Sequence, residues 1–551
     1  MSIYSNSRFA LNPTNIDISR STFDRDMSHK TTFNAGRLIP FYVDEVLPGD
    51  TFKVSTSKII RMQSLISPIY DNLYLDTYYF FVPNRLVWNH WKNFMGENGD
   101  SAWIPEVEYS VPQLRSPASG WTKGTIADYF GIPTGIGNIS VNALPFRAYA
   151  LICNEWFRDQ NLLDPVNIPL DEATVDGVND DNYITDLVKG GMPFKVAKYH
   201  DYFTSALPAP QKGPDVQIGS QIQLGVYGNP DNSSNYLHAG SGTGYLKSYS
   251  SSPSTEIGTV RANFSQAVAS NTPFTFLTEA DALSAGLSAP FVGNSSSGFT
   301  INALRTAFQL QKLFEKDARG GTRYIEMLKT HFGVTSPDAR LQRPEYLGGN
   351  RLPIHIDQVI QTSGTVQDST PQGNPAAYSY TADQHYDFTH SFVEHGFVIG
   401  LMAVRYPHSY QQGIERMWSR KTRFDYYFPV LANVGEQGIK NKEIFAQGTE
   451  VDDEIFGYQE AWAEYRYKPN RVSGEMRSNY QTSLDFWHLA DDYDTLPSLS
   501  PSWINEDASV IDRTLAVSER VSDQFFVDLY IQNKTTRAMP LYSIPGLMDH
   551  H

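Results

Sequence analysis

The chain has 551 residues, 40% of them hydrophobic and 13% aromatic, with 32 Tyr, 31 Phe and 9 Trp. That length can bury a large core in one elaborated domain or several, and the net charge of -16 excludes a protein that holds nucleic acid through its overall field. The lone cysteine, Cys153, excludes an intrachain disulfide, and with an N-terminus lacking a basic-then-apolar signal pattern it points to a reducing compartment inside a cell.

Residues 1–36 are polar and irregular, the composition of an arm that orders only against neighbours. Near the start Arg8, Arg20, Arg25, Lys30 and Arg37 outnumber Asp17, Asp24 and Asp26, a weak basic bias. Residues 37–210 carry the first strand patterns. Phe52, Val54, Thr56 and Lys58 alternate with Lys53, Ser55 and Ser57, as in a half-buried strand. Leu73–Val82 is apolar on both faces and closed by Pro83, which places it deep in a sheet sandwich. Arg85–Met95 has helical spacing anchored by Leu86, Trp88 and Trp91. Ala143–Leu163 reads as a second amphipathic helix, ended by Asp164-Pro165.

Between Gln211 and Thr300 the composition switches: 40 of the 90 residues are Ser, Gly, Asn or Thr, and 8 are charged. Strand-like and helical patterns resume beyond it as though interrupted. The stretch therefore reads as one large surface insertion grafted onto a β-framework, not as a linker. Residues 301–551 complete the framework. Ile301–Phe314 predicts a helix, Gly320-Gly321 breaks it, and Arg323–Phe332 predicts another. Phe397–Val404 is a buried run. Ala461, Ala463, Tyr465 and Tyr467 alternate as a strand would, as do Phe525, Val527, Leu529 and Ile531. The longest apolar run, Gly396–Val404, is far too short to span a bilayer. Strands so far apart, with helices and loops between them, predict a mainly β fold: an antiparallel Greek-key sandwich such as a jelly roll.

Little of the sequence suits catalysis. His390 to His395 (HSFVEH) has neither metalloprotease spacing, and it lies on a strand-like segment whose neighbours point to opposite faces. Gly240–Gly244 lacks the strand–turn–helix setting that cradles phosphate, so it reads as a loop tip. Cys153 sits in an amphipathic helix and reads as a small core residue. The carboxylates Asp452, Asp453 and Glu454, and again Asp491, Asp492 and Asp494, have the oxygen ligands for a cation, but solvated acidic turns are the simpler reading. The sequence leaves metal binding open, and no cofactor or enzymatic activity is expected.

Four blocks carry a resemblance: Asn72–Asn98, Leu313–Gly349, Phe456–Arg477 and Asp512–Leu547. The second is the most specific, with RGGTRY from Arg319 followed by QRPEY from Gln342. The framework from about Phe33 to Leu547 resembles the major capsid proteins of the Microviridae, small single-stranded DNA bacteriophages, and within them the gokushovirus branch. The resemblance implies an eight-stranded antiparallel jelly roll with long inter-strand loops, several helices and a large surface insertion. It implies a virion protein assembled in the host bacterial cytoplasm. Sixty copies would close the smallest icosahedral (T=1) shell around a circular single-stranded DNA genome. The insertion, residues 211–300, would form a threefold protrusion that engages a host surface receptor. A small basic internal DNA-binding protein would neutralise the phosphates, in keeping with the acidic shell protein. A scaffolding protein is a further candidate partner.

Two sets of residues follow as expectations. Tyr227, Tyr236, Tyr245, Phe264 and Phe274 would sit among small residues on the protrusion, touching the host or gluing neighbouring loops together. Arg8, Arg20 and Arg25, with Phe9 and Phe23 for stacking, would face DNA or the internal protein from the interior arm. The rival readings are a trimeric phage tail or adhesion protein and a carbohydrate-active β-sandwich enzyme. The second needs two carboxylates about 5–10 Å apart across a cleft.

Overall fold

The computed structural model describes residues 19–97, 108–214, 216, 244–249, 256–262, 301–360, 362 and 375–542. The chain divides into two compact units. One comprises Met1–Lys212 with Phe314–His551, and the other is Gly213–Leu313.

The first unit is built on nine strands: β1 (Ser21–Asp24), β2 (Met27–Phe33), β3 (Ile39–Val46), β4 (Thr51–Met62), β5 (Leu73–Pro83), β6 (Glu345–Ile354), β7 (Thr381–Ser391), β8 (Gly396–Arg405) and β9 (Phe525–Arg537). They form two antiparallel sheets. One runs β1-β9-β4-β7, and the other runs β6-β5-β8-β3. β2 also pairs with β9, at residues 525–531, whereas β1 takes residues 534–537, so the two lie end to end along one edge of β9. The expected arm is therefore shorter than the sequence indicated. Its polar residues 21–24 and 27–33 are edge strands, whose outward positions are free to be polar.

The alternation in β4 and β9 explains why they form and which way they face. Phe52, Val54, Ile60 and Met62 of β4 are buried, as are Phe525, Val527, Leu529 and Ile531 of β9, while most side chains between them are exposed or half-exposed. They meet Leu73, Leu75, Tyr79 and Phe81 of β5 and Val398, Met402 and Val404 of β8 in one core between the sheets. β5 and β8 are buried on their other face as well. There Phe80, Val82, Ile399 and Leu401 pack against Trp88, Trp121, Phe146 and Tyr149 of the connection after β5. The Tyr149 hydroxyl fastens that layer, donating to the Leu38 carbonyl (2.8 Å) and accepting the Phe194 N–H (3.0 Å). A polar seam runs through the inter-sheet core. Thr56 bonds Asp387 (2.5 Å) and the Tyr79 hydroxyl (2.7 Å), and the fully buried Lys58 ammonium stands 3.5 Å from Asp383. Burial pushes Lys58 down and Asp387 up from their ordinary pKa values.

Three expected elements differ. Arg85–Met95 is not one helix but a 3-10 turn at Asn84–Leu86 and a single turn at Trp91–Phe94. Trp88 between them is drawn fully into the core, its N–H on Glu172 (2.9 Å), which overrides the helical spacing. The second helix is α1 (Leu144–Ile152), continuing as a wider π-turn to Phe157 and stopping at Arg158. The Arg158 guanidinium folds back onto the Asn154 side chain (2.9 Å) and the Leu163 carbonyl (2.7 Å), closing the turn. Ala461–Tyr467 is not a strand. The strand Ile455–Glu460 ends just before it, Trp462 turns the chain with φ 67°, and Ala463–Tyr465 is a 3-10 turn. The helix at Ile301 runs through Gly320 as α2 (Ile301–Gly320), and Gly321, with φ +97°, breaks it where expected.

In the second unit, Gly244–Tyr249 and Glu256–Ala262 pair as an antiparallel ribbon.

Candidate assembly surface

The connection from β8 to β9, residues 406–524, is long and made mostly of short turns, so something other than regular structure must fix it. A buried ionic cluster does so. His408 bonds Asp491 through Nδ1 (2.9 Å) and Glu506 through Nε2 (3.1 Å). The Lys198 ammonium stands 3.3 Å from Asp491, and the Tyr493 hydroxyl donates to Asp491 (2.7 Å). Burial opposes charge on His408, but Asp491 and Glu506 outweigh it and push the imidazole up to about 9. Burial likewise opposes charge on Asp491, which His408 and Lys198 hold well below the usual carboxylate range. Two cations thus face two carboxylates, and the cluster is neutral as a whole.

Asp491 is 3% exposed, which corrects the reading of residues 491–494 as a solvated acidic turn at that position. The other acidic group does stand in solvent. Asp453, in the turn Glu450–Asp453, pairs with Lys442 (2.7 Å) and Lys440 (2.9 Å), which pull its carboxyl down to about 2.

Within the same connection, residues 414–434 form a strip rich in exposed aromatic and aliphatic side chains. The backbone is set by local chemistry. The Asp425 carboxylate accepts the Thr422 and Lys421 N–H groups (2.6 and 2.9 Å), which shapes one turn, and Pro429 opens the next, Pro429–Leu431. The Trp462 indole N–H donates to the Leu431 carbonyl (2.9 Å) and anchors the far end. The Arg420 guanidinium lies over the Tyr465 (4.4 Å) and Tyr426 (5.3 Å) rings and reaches Glu464 (3.2 Å). Arg416 reaches Glu443 (3.4 Å). On this frame Trp418 is 72% exposed, Phe424 69% and Val430 92%, and Tyr426, Tyr427 and Phe428 are exposed beside them. Exposed aromatic and aliphatic side chains gathered along one segment are the composition that favours association.

The expected site residues separate into those that can be located and those that cannot. Tyr227, Tyr236, Phe264, Phe274, Arg8 and Phe9 lie outside the described residues. Tyr245 falls in the ribbon of the second unit, opposite Arg261. Phe23 is in β1, opposite Thr535, and Arg20 donates to the Gly49 carbonyl (3.0 Å). Arg25 makes a two-pronged ion pair with Asp44 (2.7 and 2.6 Å), so its charge is already matched within the chain.

Of the remaining candidates, His390 lies on β7, 3.7 Å from Glu345, while the His395 ring packs on Trp91. Cys153 is fully buried, and burial pushes its thiol far up. Among the described residues no helix is long and apolar enough to cross a membrane.

Comparison with known proteins agrees with a structural role. Residues 13–547 match the model of the family described as capsid protein (F protein). The chain is 45% identical to capsid protein VP1 of Spiroplasma virus 4, with 94% of each chain covered. It is 42% identical to capsid protein VP1 of Chlamydia phage 1, covering 98% of this chain and 97% of the relative. It is 41% identical to capsid protein VP1 of Bdellovibrio phage phiMH2K, covering 96% of each.

Proposed function

The chain belongs to the capsid protein (F protein) family, and from that premise we propose that this Microviridae major capsid protein closes a T=1 icosahedral shell of sixty copies around circular single-stranded DNA. Its role is structural and non-enzymatic. The observation that carries the reading is the family match across almost the whole chain, from residue 13 to 547.

The topology supports the shell-forming fold. Strands β2 to β9 divide into β2-β9-β4-β7 and β3-β8-β5-β6, four in each sheet. The chain crosses between the sheets at every step except β5 to β6. That winding supports the jelly-roll reading, with β1 as an added edge strand. Closing a shell requires heterologous contacts about several axes, hence several distinct patches per copy.

Residues 211–300 form a protrusion at the threefold axes that engages a host surface receptor, with Tyr227, Tyr236, Tyr245, Phe264 and Phe274 at or near its contacts. Support comes from the composition switch and from the separate compact unit Gly213–Leu313. Residues 1–20, with Arg8, Phe9 and Arg20, face the interior together with Phe23. A small basic internal protein meets most of the phosphate charge, since the shell protein carries -16.

Deleting residues 225–297 tests the division of labour. Shells should still form while adsorption to host cells is lost. Loss of shells would instead assign the insertion to holding neighbouring copies together, and trimers without shells would favour a tail or adhesion protein.

A further inference from the structure

We propose that the strip 414–434 is an inter-copy contact: it docks onto the acidic surface of a second copy of this chain. The inference rests on the capsid reading and specifies which face of the chain makes one of the contacts a shell needs.

Three observations select a second copy as the occupant. The first is apolar exposure on a fixed backbone: Trp418, Phe424 and Val430 stand largely in solvent, although the turns beneath them are held by Asp425, Pro429 and Trp462. A surface already ordered loses little conformational freedom on docking. Aromatic residues and arginine are also the types enriched in protein interfaces.

The second is charge. Between Ile414 and Val434 there are four cations (Arg416, Arg420, Lys421, Arg423) and two carboxylates (Glu415, Asp425), a net +2 on a chain of net -16. Identical copies with so many negative charges repel each other over most of their surface. A local positive strip is where that repulsion turns into attraction, and it steers a head-to-tail contact.

The third observation decides between protein and nucleic acid. Arg416 and Arg420 are matched by Glu443 and Glu464 within the chain. Among the described residues Lys421 and Arg423 are the strip's cations without an ion pair. Single-stranded DNA is held by a groove of cations that follows its backbone, and two cations on an apolar strip do not make one. An apolar, mildly basic partner surface suits an acidic protein face better.

The test uses the lone, buried Cys153. Val430→Cys introduces a second thiol, which is exposed in the unassembled chain, while Cys153 stays inaccessible. Alkylation by a maleimide is followed in unassembled chain, in genome-free shells and in genome-filled particles, with wild type as control. The expected result is rapid labelling of the unassembled chain and at least about tenfold slower labelling in both kinds of particle, because an interface core excludes water. Equal labelling rates in shells and free chain would overturn the proposal. Protection only in filled particles would also overturn it, assigning the strip to nucleic acid. Should Val430→Cys fail to give particles, Phe424→Cys carries the same test. A wild-type chain that forms no shells is a different failure, which removes the capsid reading itself.

Discussion

Replacing His408 with alanine removes the centre of the buried cluster and leaves Asp491 and Glu506, each 3% exposed, with Lys198 as the remaining cation at 3.3 Å from Asp491. Taking one partner from a buried ion pair costs about 3–5 kcal/mol, because the partners left behind are still desolvated. The shift of the imidazole gives a second figure of the same order. The imidazole sits at about 9 in the folded chain and at about 6.5 unfolded. Since the folded value is the higher one, its stabilisation is fully present below about pH 6.5 and is lost as pH rises through about 9. A gap of that size corresponds to about 3 kcal/mol, in line with the first figure. Asp491 acts with the opposite sign: its folded pKa is depressed, so its contribution is present above about pH 4 and fades as pH falls below that. Urea unfolding of the unassembled chain, followed by tryptophan fluorescence, measures the His408 effect between about pH 5 and 9.5 and the Asp491 effect when the series is carried down to about pH 3. His408→Ala should lower stability at pH 6 by about 3–5 kcal/mol and flatten the wild-type decline between pH 6.5 and 9. Adding Glu506→Gln should recover part of the loss, since it removes a stranded charge. A cost below about 1 kcal/mol with an unchanged pH profile would refute the claim that this cluster pins the β8–β9 connection.

Gly413→Ala should cost about 1–3 kcal/mol or more in the same urea assay, because a Cβ there would lie 1.9 Å from the Glu443 carbonyl oxygen, a backbone atom with no room to move. Arg25→Ala strips Asp44 of its two-pronged partner and should lower stability by about 1–3 kcal/mol while leaving the DNA content of particles unchanged. Removing residues 1–18 should do the reverse, leaving shells intact but reducing the DNA in them, read from the ratio of absorbance at 260 and 280 nm. Unchanged packaging would argue against an interior arm.

The framework was legible where burial imposes a simple period. β4 and β9 alternate, β5 and β8 are apolar on both faces, and each follows its burial closely. The helix from Ile301 and its break at Gly320-Gly321 were legible for the same kind of reason, one periodic and one conformational. The pattern misled at Ala461–Tyr467, where alternating rings pack around a turn instead of across a sheet: Tyr465 lies against Tyr427 and Trp462, not against a neighbouring strand. It also concealed β1 and β2, since edge strands with solvated faces look like a polar arm. The ionic cluster was illegible for a topological reason. Lys198, His408, Asp491 and Glu506 are distant in sequence and meet only when the β8–β9 connection folds back on the segment that carries Lys198. The strip 414–434 was readable in composition, but its exposure depends on the Asp425 and Pro429 turns, which no hydrophobic period announces.

Sedimentation velocity on the expressed chain, alone and with lysate from phage-infected cells, tests the shell directly. One sharp boundary at the size of sixty copies of the 62.0 kDa chain is expected, in at least the sample with lysate. A stable trimer in both samples, or a chain that stays monomeric in both, would contradict it.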